Sequence, residues 1–146
     1  MNSLLEALPF LDDYRLSLIV LAAVSLIALA QSALCAPLAF VNEEQTPGMP
    51  LCLDHSKLSF RAIRTYANTT ENLPAFGFAL VVAITAGASP TLVNWLAGTY
   101  LAFRLLFWAI YYSGIGRISG GPRTLSYIGG LAANFILAGT AIQALM

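Results

Sequence analysis

Charge is what this chain has least of. Seven basic and seven acidic residues are spread over 146 positions, whereas ordinary soluble domains carry charge at about one residue in four. So few charges cannot cover the surface of a water-facing globule. They cancel to a net charge of zero, which leaves no basic face for nucleic acid and no acidic tail; no nucleic-acid partner is expected. Histidine occurs once, at His55, and cysteine twice, at Cys35 and Cys52, in no CxxC or other ligand spacing. The two thiols read as packing residues and the histidine as a loop residue, so no metal is expected. Alternation with period two is missing over any useful length, which excludes strands. The opening residues, MNSLLEALPFLDDYR, are acidic, and the apolar run after them is too long for a cleavable signal peptide.

Long apolar runs are what the chain has instead. Four stand out: Leu16 to Phe40, Leu73 to Ala88, Leu92 to Tyr112 and Leu125 to Met146. A spanning helix needs about 20 mostly apolar residues. The second run reaches that length only if helix extends back through Asn68 to about Phe60. The expected architecture is an all-α integral membrane protein, one domain over 1–146, a four-helix transmembrane bundle. Its spans are expected at about 16–40, 62–88, 92–114 and 124–145. Lys57, Arg61 and Arg64 flank the first long loop, and Arg117 and Arg123 the second. Basic residues favour the cytoplasmic side. Loops 41–60 and 115–123 are therefore expected in the cytoplasm and both termini opposite, with a bacterial inner membrane favoured by the chain's small size.

Three polar clusters interrupt the apolar pattern. In RAIRTYANTTENLP, residues Arg61, Arg64, Asn68 and Glu71 recur at helical spacing on one stripe. Glu71 lies deep enough to require a partner and an inward-facing position. Arg61 reads as a residue snorkelling to headgroups. The second stripe is Tyr100, Arg104, Phe107, Trp108 and Tyr111 in the third run. Arg104 is near mid-span, and Glu71 is the only acid close to any helix centre. A buried Arg104–Glu71 ion pair is the structural expectation, and helix registration by that pair is the plainest account of both residues. The third cluster, PRTLSY, sets Arg123 and Tyr127 four apart at a helix start, with Asn134 on the same face. Gly129 and Gly130, followed by Ala132 and Ala133, permit close helix approach.

Taken together, these clusters resemble the MAPEG family, the membrane-associated proteins in eicosanoid and glutathione metabolism. The signature of its second helix is matched in type and spacing by Arg64, Asn68, Glu71 and Pro74; the Arg and Tyr of its third helix by Arg104 and Tyr111; and those opening its fourth by Arg123 and Tyr127. The resemblance implies a homotrimer in membrane lipid, with glutathione as co-substrate bound between subunits and an apolar small molecule as second substrate. Carried over by position, Arg64, Asn68 and Glu71 hold the peptide's carboxylates and amino group, Tyr111 and Tyr127 add hydrogen bonds, and Arg123 faces the thiol as the catalytic residue. The activity implied is a glutathione transferase or glutathione-dependent peroxidase of microsomal type. The alternative is a non-catalytic scaffold that binds a lipid or a partner protein. Gln31, Glu43 and Glu44 favour the alternative, standing near where glutathione-using relatives commonly carry basic residues.

Overall fold

The computed structural model describes residues 8–42, 49, 54–115 and 120–146. Glu43, Glu44, Cys52 and Arg117 lie outside the described residues. A short 3-10 helix, Pro9–Tyr14, leads into α1 (Arg15–Asn42). It is followed by α2 (Leu58–Thr85), α3 (Pro90–Ser113) and α4 (Pro122–Leu145). Proline stands in the first turn of α3 and of α4, where its fixed φ suits a helix start and its missing N–H is not needed. Gly114 ends α3 in the left-handed conformation, φ 70°, which glycine adopts without a Cβ clash.

Among the described residues, three helical stretches are long and apolar enough to cross a membrane: Pro9–Leu38, Pro90–Ser113 and Pro122–Leu145. The protein is thus an all-helical integral membrane protein. α2 has the length but not the composition, because its first half carries Arg61, Arg64, Asn68 and Glu71 and its second opens on Asn72.

The helices divide the interior into two ends. Toward the α2–α3 turn lies an apolar core of Val20 and Val24, Phe76, Leu80 and Ala83, Val93 and Ala97, and Ala133 and Leu137. Phe76 stacks on Tyr100 with centroids 4.1 Å apart. The Tyr14 hydroxyl donates to the Ala88 carbonyl, and Asn94 accepts from Ser17 N and Oγ while donating to the Asp13 carbonyl. These bonds close that end. At the other end Phe107, Trp108 and Tyr111 form a separate aromatic cluster with Ile27, Tyr112 and Tyr127 around it. Where α4 crosses α3, a Cβ on Gly129 would run into the Phe103 ring, and one on Gly130 would touch Arg104 Cδ at 3.6 Å. The glycine pair is what lets α4 close over the Arg104 side chain. Large apolar residues such as Leu26, Leu29, Phe78, Trp95 and Phe135 face outward, as a lipid-facing surface requires.

Candidate functional site

The polar residues of α2, α3 and α4 gather at the aromatic end. The α3 stripe faces inward throughout: Tyr100, Arg104, Phe107, Trp108 and Tyr111 are all buried. Arg104 is only 2% exposed. Its guanidinium lies 5.2 Å from the Phe107 centroid, 5.8 Å from Trp108 and 6.0 Å from Tyr100, and Nη2 donates to Asn68 Oδ1 at 2.8 Å. An aromatic cage and one amide thus replace the water this cation has lost. Trp108 in turn donates to Thr69 Oγ1 at 3.1 Å, a second tie between α3 and α2.

The Arg104–Glu71 pair expected from the sequence does not form. Glu71 is exposed rather than facing inward, and Arg104 donates to Asn68 instead; Arg15 and Asp12 form an ion pair at the surface. The reason is angular. The buried face of α2 runs through Ala62, Thr65, Thr69, Phe76 and Leu80, close to one residue on from Arg61, Arg64, Asn68, Glu71 and Ala75. One residue is about 100° of helix. The polar stripe therefore lies along the edge of the bundle, with Arg64 and Asn68 half-buried and Glu71 and Ala75 outside.

Arg123, in the first turn of α4, is 7% exposed. Its guanidinium sits 4.4 Å from the centroid of Tyr111, and its Nε and Nη1 are enclosed without a hydrogen-bond partner. The Tyr127 ring is 6.2 Å from Phe107, which is 5.3 Å from Tyr111. The fold thus gathers Arg123, Tyr111 and Tyr127 around one aromatic cluster. Ser126, buried beside them, donates to the Arg123 carbonyl at 2.9 Å. Asn134, farther along α4, is buried with Oδ1 unpartnered.

Arg61 does not snorkel. Its Nη1 donates to the carbonyls of His55 and Ser56 at 2.9 and 2.7 Å, and its guanidinium packs against Gly114. The connection before α2 is thereby tied to the end of α3. This brings in a residue that sequence reasoning left as a plain loop position: the His55 ring lies 6.1 Å from Tyr111 and edge-on to Phe60 at 4.8 Å. Gln31, just past the middle of α1, donates to the Tyr112 hydroxyl at 2.8 Å. It lines an apolar groove of about 210 Å³ with Leu34, Leu38, Leu58, Ala62 and Tyr112. Another groove, about 480 Å³ along Leu16, Asn94, Trp95 and Gly98, is at the opposite end and lined by no ionisable side chain.

The sequence model of the MAPEG family matches residues 17–143, nearly the whole of all four long helices and the polar residues gathered at the aromatic end. The chain belongs to the MAPEG family. It is a membrane protein of the glutathione and eicosanoid metabolism type. No curated protein matches it. In this MAPEG chain the arginines of α3 and α4 have different surroundings. Arg104 has an amide and three rings within reach and only Nε unpartnered, whereas Arg123 has one ring and two nitrogens, Nε and Nη1, unpartnered.

Proposed function

We propose that this MAPEG protein is a membrane-bound glutathione transferase or glutathione-dependent peroxidase that acts on an apolar electrophile. The observation that carries the reading is Arg123, an enclosed guanidinium with two nitrogens unpartnered at the aromatic end of the bundle. A free thiol titrates near about 8.5 and reacts as the thiolate. A guanidinium beside it in a poorly hydrated site favours the anion and raises the reactive fraction at neutral pH. Tyr111 supports the guanidinium from below, and Tyr127 adds a hydroxyl nearby. Arg64, Asn68 and Glu71 hold the peptide's carboxylates and amino group. The electrophile enters from the bilayer between helices.

The same reading includes a homotrimer with sites between copies. An exposed carboxylate on a helix flanked by Pro74, Ala75 and Phe78 is costly against lipid. A neighbouring copy covers it and completes the pocket along the stripe that the single chain leaves at its edge. In this arrangement α2 is the fourth span, loops 41–60 and 115–123 are cytoplasmic, the termini are opposite, and the membrane is a bacterial inner membrane.

A non-catalytic scaffold binding a lipid or partner protein is favoured by one observation. Gln31 is neutral and already engaged by Tyr112, so this part of α1 supplies no positive charge to a peptide ligand. Thiolate absorbance decides between the two. Purified protein in detergent, given glutathione near neutral pH, is expected to develop the thiolate band, and Arg123→Ala to lose it. Absence of binding at millimolar glutathione would turn the reading to the scaffold.

A further inference from the structure

His55 lies in the turn before α2, outside the helices, and is held there on several sides. Asp54 Oδ1 accepts from Ser56 N and Oγ at 2.9 and 2.6 Å, which closes the turn. The His55 and Ser56 carbonyls accept from Arg61. The imidazole itself sits against Phe60 and beside Tyr111, the ring that Arg123 covers. A loop imidazole is therefore clamped beside the thiol-activating end of the proposed pocket.

The groups facing it decide its protonation. Asp54 lies in its own turn with Lys57 beyond, Arg61 and Arg64 come from α2, Tyr111 from α3 and Arg123 from α4. Burial and the three guanidinium charges outweigh Asp54 and hold the imidazole below its ordinary value. Geometry acts the same way. Nδ1 is enclosed and has no hydrogen-bond partner, so a second N–H there would be a buried donor with nothing to bond. The neutral ring that fits keeps Nδ1 as the bare lone pair and carries its proton on Nε2. Nε2–H is then the donor that the neutral ring has to offer a ligand.

We propose that His55 is a ligand-binding residue of this site, donating from Nε2 to an anionic carboxylate oxygen of the bound peptide thiol. The inference rests on the glutathione reading above. It also gives a reason for histidine over a fourth arginine or lysine. A neutral donor adds a hydrogen bond to the anion without adding a charge that Arg61, Arg64 and Arg123 would repel.

Because the chain has one histidine, its imidazole can be observed without assignment. The full chain in detergent, with 15N in the imidazole, is titrated with glutathione between about pH 6 and 8, alongside His55→Gln and His55→Phe. The wild type is expected to hold the neutral Nε2–H form at neutral pH, with the Nε2 resonance moving on saturation. His55→Gln, which retains a donor, should keep Kd within about threefold, and His55→Phe should weaken it about ten- to a hundredfold, the worth of one hydrogen bond to a charged group. Arg123-dependent thiolate absorbance should survive in both variants. If glutathione binds and forms thiolate while the His55 resonance stays unmoved, or if His55→Phe binds as tightly as the wild type, the assignment falls and the glutathione reading stands. A doubly protonated imidazole in the complex at neutral pH overturns it too. If the wild type binds no glutathione, both fall. Should His55→Phe not fold, the wild-type resonance alone decides.

Discussion

Arg104 gives its hydrogen bond to Asn68, three residues before the carboxylate that charge alone would have selected. The cation is held by an amide and three aromatic rings, and Glu71 is left free for a partner outside the chain. Asn68→Leu is expected to destabilise the protein by about 1–3 kcal/mol, the cost of a lost bond to a charged donor. Arg104→Leu should be at least as costly. The double variant should recover part of the sum, because neither partner is then left unsatisfied. Glu71→Leu should show no coupling to Arg104. Thermal unfolding in one detergent, read as a double-mutant cycle, measures all of these; coupling between Glu71 and Arg104 would contradict the geometry.

Tyr111 has two separable parts. Its ring lies under the Arg123 guanidinium, a contact worth about 0.5–2 kcal/mol, while its hydroxyl is the part that the proposed function assigns to glutathione. Tyr111→Phe keeps the ring, so KM for glutathione should rise several-fold with thiolate formation intact. Tyr111→Leu removes the support as well and should also lower the thiolate fraction. Equal effects of the two substitutions on thiolate absorbance would show that the ring does not position Arg123.

Acid should weaken the fold through His55. Its folded-state value lies below the ordinary one, so the unfolded chain takes the proton first as pH falls. Stability from this group is fully present above about pH 6.5, is lost on descent toward the folded value, and stays lost below it. Asp54, also lowered by its Ser56 bonds, acts in a separate and more acidic window. His55→Phe should flatten the pH dependence of unfolding just below pH 6.5 and leave the lower window in place. An unchanged slope in that upper window would place the effect elsewhere.

The two glycines Gly129 and Gly139 on α4 offer a paired test of packing. An added methyl at Gly129 meets the Phe103 ring, whereas one at Gly139 meets nothing within 4 Å. Gly129→Ala should cost about 1–3 kcal/mol, as overpacking does. Gly139→Ala should be neutral or stabilising by up to about 1 kcal/mol, since alanine suits a helix interior better. Reversed signs would mean that α4 does not close on α3 at this point.

Much of the bundle was legible because apolar run length and helical spacing are local. Tyr100, Arg104, Phe107, Trp108 and Tyr111 share a face by counting alone, and the fold buries that face. The α2 stripe was legible as a stripe but not in its direction. Its spacing is nearly that of the buried face, offset by about one residue, and only packing against α3 and α4 decides which of the two turns inward. The choice of Asn68 over Glu71 follows from that rotation. His55 could not be read at all, because a loop residue's position depends on what holds the loop. Here that is Arg61, whose sequence position suggested a headgroup contact instead.

The uneven composition of α2 bears on how the chain enters the bilayer. Glu71 near its middle, with Arg61 and Arg64 in the turns before it, makes this helix a poor candidate for insertion alone, since a charge near a helix centre costs about 2.5–3.5 kcal/mol on insertion scales. α3 follows after a turn of four residues, Ala86 to Ser89, and it brings the Asn68 and Thr69 partners that α2 needs. In the four-span reading the two helices therefore go in as one hairpin. A chain truncated after Ala88 should leave α2 accessible to protease on the cytoplasmic face, and one extended through α3 should protect it. Assembly of the site and insertion of its least apolar wall would then be a single event.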